Sequence, residues 1–246
     1  MPICLPNMIG EPILRLETTD STNRVALDWD EAPHGAAVVA RAQSGGRGRL
    51  GRHWESPPDA GLYLSLILRP ESPQNSAVWS LLAALGVARA LEKLSGLKIG
   101  LKWPNDVLGF DPDGAPRKIG GILGEAKGSK IVVGIGINLN QSLEELPERP
   151  IFPASSLRLL SACDWDVDVV LAAVLSELDD VLGRNWDEVR ADFERRCWGI
   201  GEVARFESEG ASLLGVVAGV DGDGALMLRS ADGLKRVVAG ELSYFL

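Results

Sequence analysis

The sequence predicts an α+β fold, with helices packed on a mixed β-sheet and a small all-β unit behind it. Strand-like apolar runs alternate with helical spacing up to Gly199, which predicts one large sheet-and-helix domain. After Gly199 the chain holds only short strand-like runs separated by Gly/Asp turns. Hydrophobic residues make up 46% of the 246 residues and charged residues 24%, which is ordinary globular composition.

The first third of the chain predicts three strands and one helix. Residues 13–16 form a short alternating run, and the polar TTDSTN that follows supplies N-cap residues for a helix at RVALDW. Two β-branched or strongly apolar runs then predict strands, GAAVVARAQ and GLYLSLILRP, of which Pro70 ends the second.

The middle of the chain predicts a long helix and three further strands. Apolar residues in 77–95 recur at the i, i+3, i+4, i+7 spacing of an amphipathic helix, and Gly96 is placed to end it. The runs KIGLKW, KIGGILGEA and KIVVGIGINL then indicate strands. The segment between the first two, PNDVLGFDPDGAPR, is rich in turn residues and predicts a loop.

The last third predicts two helices and then the all-β unit. Residues 141–165 are polar and proline-bearing, DVDVVLAAVLSELDDVL is helical in pattern, and Asn185 with Glu188 resembles a capping box for NWDEVRADFERRC. Four short strands follow: EVARFES, LLGVVAGV, ALMLRS and KRVVAGEL. They predict a barrel too small to fold confidently alone, which should pack on the main domain. We expect domains at 1–198 and 199–246.

Charge and composition exclude several classes of protein. A net charge of -9 argues against a general nucleic-acid binder. No apolar run approaches the roughly 18 residues of a membrane span, and the start lacks the pattern of a secretory signal. Cys4, Cys163 and Cys197 are far apart, form no metal-binding pattern and fit a reducing cytoplasm, where we expect all three to be buried thiols.

The segment SGGRGRLGRHW, residues 44–54, packs four glycines and three arginines between two predicted strands. Glycines let main-chain N–H groups turn toward a ligand, and arginine side chains offer forked donors that match phosphate or carboxylate oxygens. The segment is neither a Walker A loop nor a G-x-G-x-x-G fingerprint. By itself it fits a phosphate-binding loop or a solvated turn, including one that binds RNA through its Arg-Gly pairs.

Three further clusters each have a functional and a plain structural interpretation. In KWPND, Asp106 could hold Mg²⁺ beside phosphates, but Pro-Asn-Asp is also an ordinary turn. In RKIGGILGE, Gly120 and Gly121 indicate close approach by a ligand or backbone, while Lys118 could simply reach solvent from a strand end. In GIGIN, Gly134 and Gly136 could likewise indicate close approach by a ligand, or they could merely relieve crowding.

The order DSTN, QSGGRGRLGRHW, KWPND, KIGGIL and GIGIN resembles that of the biotin protein ligases. The resemblance extends to the chain's end, because that family carries a small SH3-like barrel after its catalytic domain. It implies ATP-dependent attachment of biotin to a lysine of a biotin carboxyl carrier protein, as in acetyl-CoA carboxylase. Biotin and ATP first give biotinyl-5′-AMP and pyrophosphate, and the acceptor lysine then releases AMP.

The resemblance also implies roles for individual residues. Lys118, Arg47 and Arg49 would be catalytic. The biotin-binding residues would be Ser21, Thr22, Gln43, Gly46, Arg47, Lys118, Gly121, Gly134 and Gly136. The ATP-binding residues would be Arg49, Arg52, Trp54, Lys102, Asn105, Asp106, Lys118 and Asn138, with Asp106 on the Mg²⁺ side. His34 and His53 have no obligatory part.

Other features of the family remain expectations. About 18 residues precede DSTN, too few for the DNA-binding domain of the family's repressor members, so we expect a short form without that domain. The alternatives are a lipoate protein ligase, a non-enzymatic biotin sensor and, least favoured, an RNA-binding module. The sequence is compatible with a monomer or with a homodimer, since relatives often pair through their sheets.

Overall fold

The computed structural model describes residues 9–70, 76–147, 152–208, 211–238 and 240–244. The strands are β1 (Ile13–Thr19), β2 (Ala37–Gln43), β3 (Gly61–Leu68), β4 (Gly100–Lys102), β5 (Asp106–Phe110), β6 (Pro116–Lys127), β7 (Lys130–Asn138), β8 (Val203–Ser208), β9 (Ala211–Val220), β10 (Leu226–Ser230), β11 (Gly233–Val237) and β12 (Glu241–Tyr244). The α-helices are α1 (Thr22–Asp28), α2 (Ser76–Ser95), α3 (Leu157–Ser161), α4 (Val167–Leu182) and α5 (Trp186–Arg196).

Seven of the described strands form one sheet in the order β1-β2-β3-β7-β6-β5-β4. β1 and β2 are parallel and the other neighbours are antiparallel, so the sheet is mixed. The predicted α+β fold with a mixed sheet is confirmed.

β3 lies inside the sheet, and all eight of its residues are buried. Because side chains alternate between the two faces of a strand, both faces of β3 must be covered by other elements. Leu64 and Leu66 belong to a large core that also contains the buried side of α2 and α4. Ile67 lies on the opposite face, in a smaller core with Ala26 of α1. The helices therefore enclose the middle of the sheet from two sides.

The C-terminal strands form a second, antiparallel sheet in the order β11-β10-β9-β8-β12. It packs on the main sheet as expected, since Ala204 and Phe206 belong to the large core. Trp103 donates its indole N–H to the Gly224 carbonyl oxygen at 3.0 Å. The Trp198 amide donates to the Leu101 carbonyl oxygen at 2.7 Å. A division of the chain at residue 199 remains our proposal.

Several local predictions differ from the structure. Residues 106–110 form β5 although turn residues predicted a loop, because the segment pairs with β6 on one side and β4 on the other. Helix α3 lies inside the segment predicted as irregular. The Asn185 side chain makes no capping bond to the main chain and instead donates to Glu188 at 3.3 Å. Gly96, at φ +69°, ends α2 as predicted.

The cysteines behave differently from one another. Cys197 is buried, as expected, and burial raises the pKa of its thiol to about 12. Cys163 is exposed, so the prediction of burial was wrong for it, because it follows the end of α3 at the surface. Cys4 lies outside the described residues. Among the helices of the described ranges, none is both long enough and apolar enough to span a membrane.

Candidate functional site

A cleft of about 350 Å³ lies over one face of the main sheet, between α1, the Arg/Gly loop of residues 44–54 and β12. Most of the residues predicted from the sequence line it: Ser21, Thr22, Gln43, Arg47, Arg49, Arg52, Trp54, Lys102, Asn105, Asp106, Lys118, Gly121, Gly134 and Gly136. Lys118 and Gly121 of β6 come close to Gly134 and Gly136 of β7 because these strands are neighbours in the sheet.

One end of the cleft is a network of uncharged polar groups. The main-chain N–H and the hydroxyl of Thr22 both donate to Gln43 Oε1, at 2.8 and 3.1 Å. Gln43 Nε2 donates to Ser56 Oγ at 2.9 Å. Ser65 Oγ lies 2.8 Å from the Thr22 hydroxyl oxygen. Ser21 precedes α1 but makes no capping bond with its side chain. This end suits a neutral ligand group with several donors and acceptors.

The pKa of the Asp20 carboxyl, beside this network, is lowered because the Ser21 amide donates to it at 2.7 Å. Asp20 therefore carries its charge at neutral pH. It adds a negative charge at the start of α1, where it forms an ion pair with Arg24.

The Arg/Gly loop folds back on itself as a short hairpin. The Gly48 amide donates to the Arg52 carbonyl oxygen at 2.7 Å, and the Trp54 amide donates to the Gly46 carbonyl oxygen at 2.9 Å. Leu50, at the tip, has φ +57° and is 70% exposed. A side chain at Gly46 would overlap the Trp54 carbonyl oxygen, so that glycine is required for the fold of the loop. Gly46 itself is not among the residues that line the cleft.

The floor of the cleft is a pair of glycines facing each other across two strands. Gly121 of β6 and Gly136 of β7 are register partners. The indole of Trp54 lies on them: a Cβ at Gly136 would be 2.6 Å from the ring, and one at Gly121 would be 3.2 Å from it. The ring N–H of Trp54 is buried and has no partner among the described residues. A side chain at Gly136 would displace the indole, and one at Gly121 would crowd it.

Gly134, the third predicted glycine of the cleft, makes room for Asn23. A side chain at Gly134 would overlap the Asn23 amide. That amide donates to Glu125 Oε2 at 2.8 Å, and its oxygen lies 2.5 Å from Ser65 Oγ. The sequence pattern indicated Asn23 only as part of DSTN and Glu125 only as the last residue of RKIGGILGE, and it gave no role to either of them or to Ser65. Sequence patterns carry no signal for such contacts, because the partners are far apart along the chain.

The cations of the cleft are held by neighbouring polar groups. Lys118 and Asp106 form an ion pair in which both side chains are largely buried, 17% and 14% exposed. The Lys118 ammonium lies 5.7 Å from the centroid of the Trp54 ring. Arg47 donates to Glu125 at 2.9 Å, and Arg49 donates to Asn105 Oδ1 at 3.2 Å.

The main chain at Lys118 is fixed by the segment before α3. Its N–H donates to the Pro153 carbonyl oxygen at 3.0 Å, and its carbonyl oxygen accepts from the Ser155 amide at 2.9 Å. Asn138, predicted to meet the nucleotide, donates to the Ser155 carbonyl oxygen at 3.0 Å. It lies in a small adjoining pocket that Trp54 and Lys118 also line, outside the main cleft.

The C-terminal unit closes one wall of the cleft, which the sequence did not predict. Leu242 and Ser243 of β12 line it together with Lys102. The Lys102 ammonium lies 5.5 Å from the centroid of the Phe152 ring. Phe152 packs edge-on against Trp198, and Trp198 packs against Tyr244 of β12.

Neither of the two histidines lies at the centre of the cleft. His53 lies in the Arg/Gly loop, is about half exposed and sits 3.6 Å from Glu55. His34 accepts a hydrogen bond from the Arg69 amide at 3.0 Å, away from the cleft. Burial lowers the pKa of the His34 imidazole.

Within the described ranges, no group of three or more His, Cys, Asp or Glu side chains could hold a metal ion by itself. Mg²⁺ at nucleotide sites commonly uses one or two carboxylates together with substrate phosphates. Asp106, with the Asn105 amide oxygen beside it, offers a donor set of that kind. The residues present therefore fit an ion that arrives with phosphate, and do not fit a metal held by protein alone.

The cleft has a neutral polar end, a glycine floor beneath the Trp54 indole, and a rim of arginines and lysines. These features together define a ligand-binding site. Such a cleft suits an extended molecule that is uncharged at one end and anionic at the other. Residues 15–142 match the biotin/lipoate A/B protein ligase family, and residues 199–243 match the biotin protein ligase C-terminal domain.

Individual relatives agree with this match. The biotin–[acetyl-CoA-carboxylase] ligase of Paracoccus denitrificans is 32% identical over 93% of this chain and 99% of its own. The bifunctional ligase/repressor BirA of Bacillus subtilis is 30% identical over 96% of this chain and 74% of its own. The solved biotin protein ligase of Aquifex aeolicus in complex with biotin and ATP has a TM-score of 0.83 and 33% identity, over 96% of this chain and 99% of that one.

The chain belongs to the biotin/lipoate A/B protein ligase family. The resemblance to the biotin protein ligases found in the sequence is thereby confirmed, as is the prediction of an enzyme of that kind.

Proposed function

We propose that this biotin protein ligase activates biotin with ATP and transfers it to a lysine of a biotin carboxyl carrier protein. The observation that carries the proposal is the convergence of Lys118, Arg47 and Arg49 on one cleft whose other end is neutral and polar. Biotin has a neutral urea ring at one end and a carboxylate at the other. The two ends of the cleft match these two chemistries.

In the first step, a carboxylate oxygen of biotin attacks the α-phosphorus of ATP. The new P–O bond forms as the bond to the β-phosphate breaks, and pyrophosphate leaves. Two anions must approach each other, so cations are needed to offset their repulsion and the charge that develops in the transition state. Lys118 lies between Asp106 and Trp54 and is the cation best placed in the centre of the cleft. Arg47 and Arg49 of the Arg/Gly loop line the same cleft.

In the second step, the uncharged amine of the acceptor lysine attacks the acyl carbon of biotinyl-5′-AMP. The bond from that carbon to the phosphate oxygen breaks, AMP leaves with the electron pair, and the amine nitrogen gives up one proton to solvent as the amide forms. The mixed anhydride is prone to hydrolysis, so exclusion of water matters. The Arg/Gly loop, with exposed Leu50 at its tip, is the segment that can close over the intermediate.

Residues at the two ends of the cleft bind the two substrates. Thr22 and Gln43, joined by two hydrogen bonds, and Ser21 beside them contact the urea ring of biotin. Arg52 and Lys102, on the arginine and lysine side of the cleft, bind ATP together with Asn105.

The remaining predicted residues take the following parts. The floor glycines Gly121 and Gly136 make room for the Trp54 indole, which forms a wall beside the bound substrates. Gly134 acts through Asn23, Gly46 through the fold of the loop, and Asn138 through the adjoining pocket.

Asp106 would hold Mg²⁺ that arrives with the phosphates of ATP, with the Asn105 amide beside it. When bound, the ion would neutralise part of the phosphate charge. In the described structure Asp106 is paired with Lys118 instead, and its carboxylate already lines the cleft.

Acetyl-CoA carboxylase is the acceptor-bearing enzyme we propose, as the names of relatives from Paracoccus denitrificans and Mycobacterium tuberculosis state for those proteins. Activity in the cytoplasm, homodimer formation and the absence of nucleic-acid binding remain predictions.

The test is biotin-dependent exchange of labelled pyrophosphate into ATP with Mg²⁺, with lipoate in a parallel assay. Exchange with biotin alone, followed by labelling of a purified carrier domain, is the expected result. Exchange with lipoate alone would move the protein to the lipoate ligases. Biotin binding without exchange would leave a sensor, and salt-sensitive RNA binding would revive the RNA-binding alternative.

A further inference from the structure

Glu125 is an acidic residue at the edge of a site built for anions. Side chains on a strand return to the same face every second residue, so Glu125 shares a face of β6 with Gly121 and Leu123. Both of those residues line the cleft. The Glu125 side chain is 25% exposed. A carboxylate at this position repels an anionic ligand. Its presence is explained if it forms an ion pair with a cation that binds that ligand.

The contacts of Glu125 show which cation it pairs with. Its Oε2 accepts from Arg47 at 2.9 Å and from the Asn23 amide at 2.8 Å. Asn23 is 4% exposed, and its amide oxygen lies 2.5 Å from the buried Ser65 hydroxyl. Ser65 lies 2.8 Å from the Thr22 hydroxyl. The carboxylate is therefore fixed from behind by buried groups, and it reaches forward to the Arg/Gly loop.

One chain of hydrogen bonds thus runs from Thr22, at the neutral end of the cleft, to Arg47, at the cationic end that would bind an anion. A guanidinium has five N–H donors, and the bond to Glu125 uses one of them. The remaining donors can bind a ligand carboxylate while one edge stays anchored. Anchoring before the ligand arrives reduces the conformational entropy that Arg47 would otherwise lose on binding.

We infer that Glu125 is a positioning residue for Arg47, which it fixes in the geometry that binds the biotin carboxylate. The inference rests on the proposed function and deepens it, since it assigns a residue that the sequence motifs did not single out. Asn23 and Ser65 act behind Glu125 by fixing its carboxylate.

The experiment is a double-mutant cycle on biotin binding, measured by isothermal titration calorimetry without ATP. The four proteins are the wild type, Glu125→Gln, Arg47→Met and the double variant. Glu125→Gln keeps the size of the side chain and removes its charge, and we expect it to weaken biotin binding about tenfold, the difference between a charge-assisted and a neutral hydrogen bond. In the Arg47→Met background the same change should have no further effect.

A matched control and a stability measurement separate positioning from a purely structural role. Asp59 forms an ion pair with Arg41 in which both side chains are exposed and neither lines the cleft, so Asp59→Asn should leave biotin affinity unchanged. Urea unfolding should show similar midpoints for wild type and Glu125→Gln. Glu125→Asp, which keeps the charge but shortens the reach, should give an intermediate loss and replaces Glu125→Gln if that variant fails to fold.

Two results would overturn the inference alone: unchanged or tighter biotin binding by Glu125→Gln, or an equal loss in the wild-type and Arg47→Met backgrounds. Failure of the wild type to bind biotin would instead overturn the proposed function and the inference with it. The two failures are distinguishable because only the second involves the unmodified protein.

Discussion

Replacing Lys118 by Met tests the centre of the proposed chemistry. Methionine keeps much of the length and volume of lysine but removes the ammonium group. Loss of one preorganised donor to developing charge costs about 100- to 1,000-fold in rate, or about 3–4 kcal/mol. We therefore expect the rate of biotin-dependent pyrophosphate exchange to fall by that factor, since Lys118 is the ammonium beside Trp54 at the centre of the cleft.

The same substitution should also lower the free energy of unfolding, because it breaks the ion pair between Lys118 and Asp106. Lys118→Met leaves Asp106, which is 14% exposed, without its cation. Breaking a fully buried pair costs about 3–5 kcal/mol, and partial exposure reduces this to about 1–3 kcal/mol. Adding Asp106→Asn removes the unpaired charge, so the double variant should recover most of that stability in urea unfolding while remaining inactive.

The control is Lys127→Met on the same strand. Lys127 is 52% exposed and pairs with Asp30 at the surface, so its loss should change stability by less than about 0.5 kcal/mol and leave exchange intact. The reasoning would be refuted if Lys118→Met retained exchange within tenfold of the wild type while remaining folded. It would also be refuted if the double variant were active.

Three other predictions concern the floor, α1 and pH. Gly136→Ala should raise the KM for biotin, because its methyl group would lie 2.6 Å from the Trp54 ring, with overpacking worth about 1–3 kcal/mol. Lys130→Met should lower the free energy of unfolding by about 2–4 kcal/mol in urea, since this 3%-exposed lysine donates to three carbonyls at the end of α1. Stability should fall as pH drops below the unfolded-state pKa of histidine, about 6.5, because the native pKa of His34 is lower and the unfolded chain binds the proton first.

Each of these has a result that would contradict it. Gly136→Ala with wild-type KM would show that the indole does not rest on the glycine pair. A loss below about 1 kcal/mol for Lys130→Met would mean that water satisfies the carbonyls. For His34, the comparison is His34→Asn, whose unfolding free energy should change less between pH 7 and pH 5.5 than that of the wild type; equal slopes would assign the effect to other groups.

The sequence predicted elements whose signal is local. The apolar spacing in 77–95 and Gly96 defined α2 because a helix repeats every few residues. The apolar GLYLSLIL gave β3, since a strand covered on both faces reads as a continuous apolar run. Where pairing with a distant strand overrode local preference, as in β5, the sequence prediction was wrong.

Some residues of the candidate site were likewise predictable from local sequence, and others were not. Lys118, Arg47 and Trp54 stood out in the sequence because glycine, proline and arginine clusters are unusual within or beside apolar strands. All three line one cleft, and their individual roles stay predictions that the experiments above test. The family was recognisable from the order of the motifs along the chain, since that order does not depend on how the strands pair.

Only the tertiary structure brought in the other partners. Glu125 is 102 residues from Asn23 and 78 from Arg47, and Leu242 of the C-terminal unit reaches a wall of the same cleft. Periodicity and turn chemistry describe a few consecutive residues, whereas these contacts depend on strand order and register. The chain by itself therefore determined which residues could do the chemistry, and the packing of the sheet determined which groups hold them in place.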